Sequence, residues 1–73
     1  MNTESQNLMV LKHLDRYGQI NPKQADRLYG IMRLGARIYD LRDIMGKDRI
    51  KTLKVAKKNR FGKVTRFANY VLQ

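Results

Sequence analysis

The apolar residues of this chain change their spacing once, at Gly46, and that change limits the folds open to it. Before Gly46 they recur every three or four residues, which lines one face of an α-helix; after it they alternate or cluster as β-branched residues. Gly18, Gly30 and Gly46 divide the first part into three helical segments, because glycine accepts the backbone conformations that follow a helix end. Three helices followed by two strands is an α+β order. A chain of 73 residues has room for one small domain of that kind, spanning residues 1–73.

The first helix is predicted over residues 5–17, with Val10, Leu11, Leu14 and Tyr17 on one face and Thr3 or Ser5 as its cap. Gln19-Ile20 is long enough only for a bridge-like third strand. Asn21-Pro22-Lys23-Gln24 is a strong start signal: asparagine caps, proline suits the first helical position, and Gln24 reaches back to complete a capping box. The second helix runs to Tyr29, with Ala25, Leu28 and Tyr29 inward. A third is predicted over 33–45, with Leu34, Ile38, Leu41 and Met45 as its apolar stripe and Ile31 plugging the core from the turn before it. Gly30-Ile31-Met32 is short enough to make the second and third helices a helix-turn-helix, the third presented outward.

Beyond Gly46, Ile50–Val55 and Val64–Leu72 read as strands, joined by the basic segment 56–63, in which Asn59 and Gly62 are the residues able to adopt positive φ. An isolated hairpin is marginal in water, so this one has to pack on the helices.

Charge follows the same division. Nine of the sixteen Lys and Arg lie between Lys47 and Arg66 against one acid, Asp48, so this stretch carries +8 of the formal +10. Lysines that guard a sheet edge account for one or two of these and not for nine. Lys54, Lys57, Lys58, Asn59, Arg60, Lys63 and Arg66 are therefore candidate phosphate contacts, whose affinity would fall steeply with salt as counterions are released. A basic hairpin (49–72) beside a presented helix is a wing. Phe61, at its tip, is either an anchor tucked beneath the loop or an exposed side chain touching sugar or base.

The first turns of the presented helix are what enter a DNA major groove, and they hold Arg33, Gly35, Ala36 and Arg37, followed by Tyr39. Small residues let the backbone approach, and arginine donates in bidentate fashion to guanine or phosphate. Against this, Arg37 stands three residues from Asp40, and Arg42 adjoins Asp43, so pairing within the helix competes with contact to DNA. Asp40 and Asp43 are read as orienting groups and Tyr39 as contact or surface packing.

The whole chain resembles the small winged helix-turn-helix DNA-binding domains of bacteria and their phages. The resemblance rests on the Asn-Pro start of the second helix, the Gly-Ile turn, the stretch Arg33-Leu34-Gly35-Ala36-Arg37-Ile38-Tyr39-Asp40-Leu41-Arg42 and the closing Tyr70-Val71-Leu72 strand. It implies duplex DNA binding in regulation or phage-DNA housekeeping. Gly35 departs from the pattern, where serine is commoner, and removes a hydroxyl. Three uses of such a fold are open: a transcription regulator, an excisionase-like factor that bends DNA, and a protein-interaction module acting as an inhibitor. RNA is a lesser variant, because the sheet signature of RNA-recognition domains is absent.

Other classes fit poorly. His13 is the sole histidine and has no acidic or cysteine cluster to match, so it is read as packed or solvated, and neither catalysis, metal, cofactor nor small-molecule substrate is expected. The longest apolar run is four residues, Leu8–Leu11, against the roughly 20 that span a bilayer. The lack of cysteine fits a reducing cytosol, and Asn2-Thr3-Glu4-Ser5 has no secretory layout, so a cytoplasmic place is expected. No spare apolar helix is evident for a stable dimer, which favours a monomer or cooperative assembly on DNA.

Overall fold

Two asparagines set where the first two helices begin. In a computed structural model, which describes residues 2–73, α1 spans Thr3–Tyr17 and Asn2 is its cap, its side-chain carbonyl accepting the Ser5 N–H at 2.8 Å. The helix thus starts two residues before the predicted point, with Asn2 in place of Thr3 or Ser5 as the cap. β1 (Gln19–Ile20) follows, and α2 (Pro22–Tyr29) opens with the expected capping box between Asn21 and Gln24. Gly18 and Gly30 end α1 and α2 in the left-handed region, at φ of 81° and 68°.

α3 spans Leu34–Met45, one residue shorter at its start than predicted. A single 3-10 turn, Lys47–Arg49, then leads into β2 (Ile50–Lys58), which pairs antiparallel with β3 (Val64–Leu72) from Ile50↔Leu72 to Lys58↔Val64. β2 is three residues longer than predicted and the connecting loop is only 59–63. The ladder continues because Ala56, Lys57 and Lys58 find partners in Arg66, Thr65 and Val64. β1 adds to the other side of β3 through Gln19↔Val71 and Ile20↔Tyr70, giving the order β1-β3-β2.

The core lies where the three helices meet the base of this sheet. Val10 and Leu14 of α1, Ile20, Ala25, Ile31, the α3 stripe Leu34, Ile38 and Leu41, and Ile50 are at most 2% exposed. Met9, Leu11, Tyr29, Met45, Tyr70 and Leu72 close around them. Ala25 is fully buried, as the close approach of the helices requires. Two expectations fail: Leu28 is 52% and Tyr17 58% exposed. Both line one open cleft between the end of α1 and α2, with His13, Gln19, Gln24 and Tyr29, which no other element fills. No helix of the described residues is long and apolar enough to cross a membrane.

Candidate nucleic-acid interface

α3 is held at both flanks by arginines. On the α1 side, Arg37 pairs with Asp40 at 3.3 Å and donates to Gln6 Oε1 at 3.4 Å, while Asn7 Nδ2 donates to Asp40 at 3.3 Å. The Arg37 side chain is only 16% exposed. Of the two sequence alternatives for Arg37, the local ion pair is the one present in the free protein, and it extends to two side chains of α1. Gln6 and Asn7 were not foreseen, because this contact joins residues more than thirty positions apart and leaves no local pattern. Arg37 Nε and Asn7 Oδ1 are buried with no partner among the described residues.

On the sheet side, Arg42 does not pair with Asp43 as its neighbour position suggested. Its Nε and Nη2 donate to the Ile50 carbonyl at 3.0 and 2.8 Å, and Nη2 also donates to Thr52 Oγ1 at 2.7 Å. The guanidinium lies 6.0 Å from the centre of the Tyr70 ring. The planar fork of arginine suits this site: it grips the first residues of β2 and so fixes the base of the wing to α3.

Between these two anchors α3 presents an open surface. Arg33, Gly35, Tyr39 and Asp43 are exposed, and Ala36 is half-buried. Met32, in the turn before, is also exposed. A Cβ placed on Gly35 would meet only the Tyr70 hydroxyl, at 3.7 Å, so the position has room for a side chain. Tyr39 lines an open cleft with Arg42, Asp43 and Lys47. Unlike α1 and α2, α3 has no side chain capping its start, where Arg33 is the flanking residue. Its first amides therefore retain the donors and the partial positive charge of a helix N-terminus.

Alternation along the ladder decides which wing residues share a side. Thr52 and Tyr70 are opposite one another and lie on the side that Arg42 engages. Counting outward by twos places Lys54, Lys58 and Arg66 on that same side, facing with α3, while Lys51 and Lys57 lie on the reverse. On the reverse side, Lys57 and Phe67 line a cleft with Asn21, Pro22 and Lys23 at the start of α2. From Ala56 to Arg66 every residue is exposed.

The tip is an ordered loop. Asn59 Oδ1 accepts the N–H groups of Phe61 and Lys63 at 2.9 and 3.0 Å, its own N–H donates to the Lys63 carbonyl at 2.8 Å, and Gly62 takes φ 83°. Asn59 does not adopt positive φ; it shapes the loop through its side chain, leaving Nδ2 as its free donor. Arg60 and Lys63 are exposed here, and Phe61 takes the exposed alternative.

No group of three or more His, Cys, Asp or Glu that could hold a metal occurs among the described residues. His13 is packed, with Nδ1 2.7 Å from the Tyr29 hydroxyl and its ring stacked at a tilt on Tyr17. Comparison with curated proteins finds no match. A family model described as a winged helix-turn-helix domain matches residues 5–73, and with three helices, a helix-turn-helix connection and a hairpin wing in the order described, the chain belongs to that family, whose fold implies DNA as partner.

Proposed function

We propose that this chain binds double-stranded DNA as a regulator in a bacterial cytoplasm or a phage-infected cell, with α3 in the major groove and the wing on the flanking backbone or minor groove. The observation that carries the reading is that Lys54, Lys58 and Arg66 stand on the side of the sheet that α3 engages through Arg42. One duplex can therefore meet both. Arg33, Gly35, Ala36 and Tyr39 face the groove in this arrangement, and the uncapped amides of α3 receive a phosphate oxygen. Lys57, Arg60, Lys63 and the Asn59 amide add backbone contacts along and around the wing.

Arg37 has a different part. Its ties to Asp40 and Gln6 make it a positioning residue that sets the angle of α3 against α1. The protein acts as a monomer or assembles cooperatively along the duplex.

Anisotropy titration of a mixed-sequence duplex over a salt series tests the reading. Affinity should fall steeply with salt, and selection from random sequence should return a preference that Arg33→Gln alters and wing substitutions leave in place. Indifference to duplex DNA at low salt would refute it.

A further inference from the structure

The exposed ring at the wing tip has no part in holding the fold together. Phe61 is 79% exposed, although isolated apolar residues on a surface are ordinary and exposure alone decides nothing. Three features set this one apart. Its backbone is held in place by the Asn59 side chain and the Gly62 turn, so the ring is presented by an ordered loop. The Arg60 guanidinium lies 5.3 Å from the ring centre, and Lys58 and Lys63 flank the same tip. The hairpin also carries the ring clear of the body: three fully exposed ladder pairs, Ala56↔Arg66 to Lys58↔Val64, extend it by roughly 10 Å at the usual rise of a strand.

We propose that Phe61 is a wedge: it enters the minor groove, inserts between two base pairs and kinks the duplex. The inference rests on the duplex-binding reading above and deepens it from docking to deformation of the DNA. A minor groove about 6 Å wide excludes a two-stranded ribbon but admits a single turn, and its depth of about 7.5 Å is well within the reach of the tip. Arg60, Lys58 and Lys63 neutralise phosphates on the two rims while the ring replaces base-base stacking with base-aromatic stacking. A rigid, cation-ringed aromatic suits this use, because the charges of Lys57, Lys58, Arg60 and Lys63 would meet phosphates as the ring entered.

The test compares the full chain with Phe61→Ala and Phe61→Leu on a mixed-sequence duplex of about 100 base pairs, shorter than the persistence length. Affinity is read across a salt series and bending by ligase-mediated ring closure at saturating protein. The parent protein should raise ring closure well above that of bare DNA. Phe61→Ala should bind about tenfold more weakly with an unchanged salt slope and return ring closure to the bare-DNA level. Phe61→Leu, which keeps an apolar wedge, should retain most of the bend. Binding by the parent without bending, or full bending by Phe61→Ala at saturation, overturns the wedge and leaves duplex binding intact. An effect of Phe61→Ala on neither property would mean that the ring serves something other than DNA, which also overturns it. Failure of the parent to bind any duplex overturns both readings.

Discussion

His13 shows how a residue with no obvious partner in the sequence acquires a physical role once neighbours arrive. Burial lowers its pKa from the ordinary value, and a hydrogen bond involving the Gln19 backbone offsets this in part. The folded protein thus favours the neutral ring, whereas the unfolded chain binds the proton more readily. The resulting stability is complete above the ordinary histidine pKa of about 6.5 and is lost as pH falls through the lowered folded value. Thermal unfolding midpoints should decline on acidification from about pH 7 to pH 5, and His13→Gln should flatten that decline. Gly35 makes the opposite kind of prediction. It sits in the first turn of α3 with ordinary helical geometry, and an added Cβ makes only a van der Waals contact with the Tyr70 hydroxyl. Gly35→Ala should stabilise the fold by about 0.5–1 kcal/mol in urea unfolding, since glycine loses more backbone freedom on folding.

At the scale of elements, one side chain supplies the polar tie between α3 and the wing. Arg42 bonds two residues at the start of β2, and the hairpin beyond has little packing of its own. Arg42→Met keeps the aliphatic stem and removes all three bonds, and should cost about 1–3 kcal/mol in urea unfolding. Arg42→Lys should recover only part, because an ammonium cannot reproduce the fork. Hydrogen exchange at the Lys51 and Val71 amides, which bond across the β2–β3 ladder, should quicken in both variants, reporting that the wing base has loosened. The same elements explain which expectations failed. The outer apolar positions Leu28 and Tyr17 obey the helical spacing and are nonetheless exposed, because they border an open cleft between the end of α1 and α2.

For the whole molecule, the decisive property is that a nearly balanced helical body carries a cationic projection, of which Lys54, Lys58 and Arg66 lie on the side of the sheet that Arg42 of α3 engages. In the proposed reading, generic affinity and selectivity fall to different parts. Replacing Lys58, Arg60 and Lys63 together by Gln should reduce the slope of log affinity against log salt by roughly 2–3, each phosphate contact contributing about 0.9. The bound-sequence preference should survive that change, whereas Tyr39→Ala should shift the preference with the slope unaltered. Measuring both quantities on the same variants separates the two parts cleanly.

Much of this architecture is legible in the sequence. The helical spacing, the Asn21-Pro22-Gln24 start, the glycine stops and the hairpin act through contacts a few residues apart, so composition and spacing along the chain are sufficient to reveal them. The location of the charge was likewise plain, since it is a property of the chain alone. Tertiary structure decided the rest. It chose between the Asp40 pair and a free Arg37 by bringing Gln6 from α1, it turned Arg42 from its neighbour Asp43 to the start of β2, and it carried the ladder three residues past Val55. These outcomes depend on sheet register and on how helices dock, which bring together residues far apart in the chain. Which side of the wing carries Lys54 and Lys58 is the clearest case: a one-residue slip of β2 against β3 would point both away from α3 with the sequence unaltered.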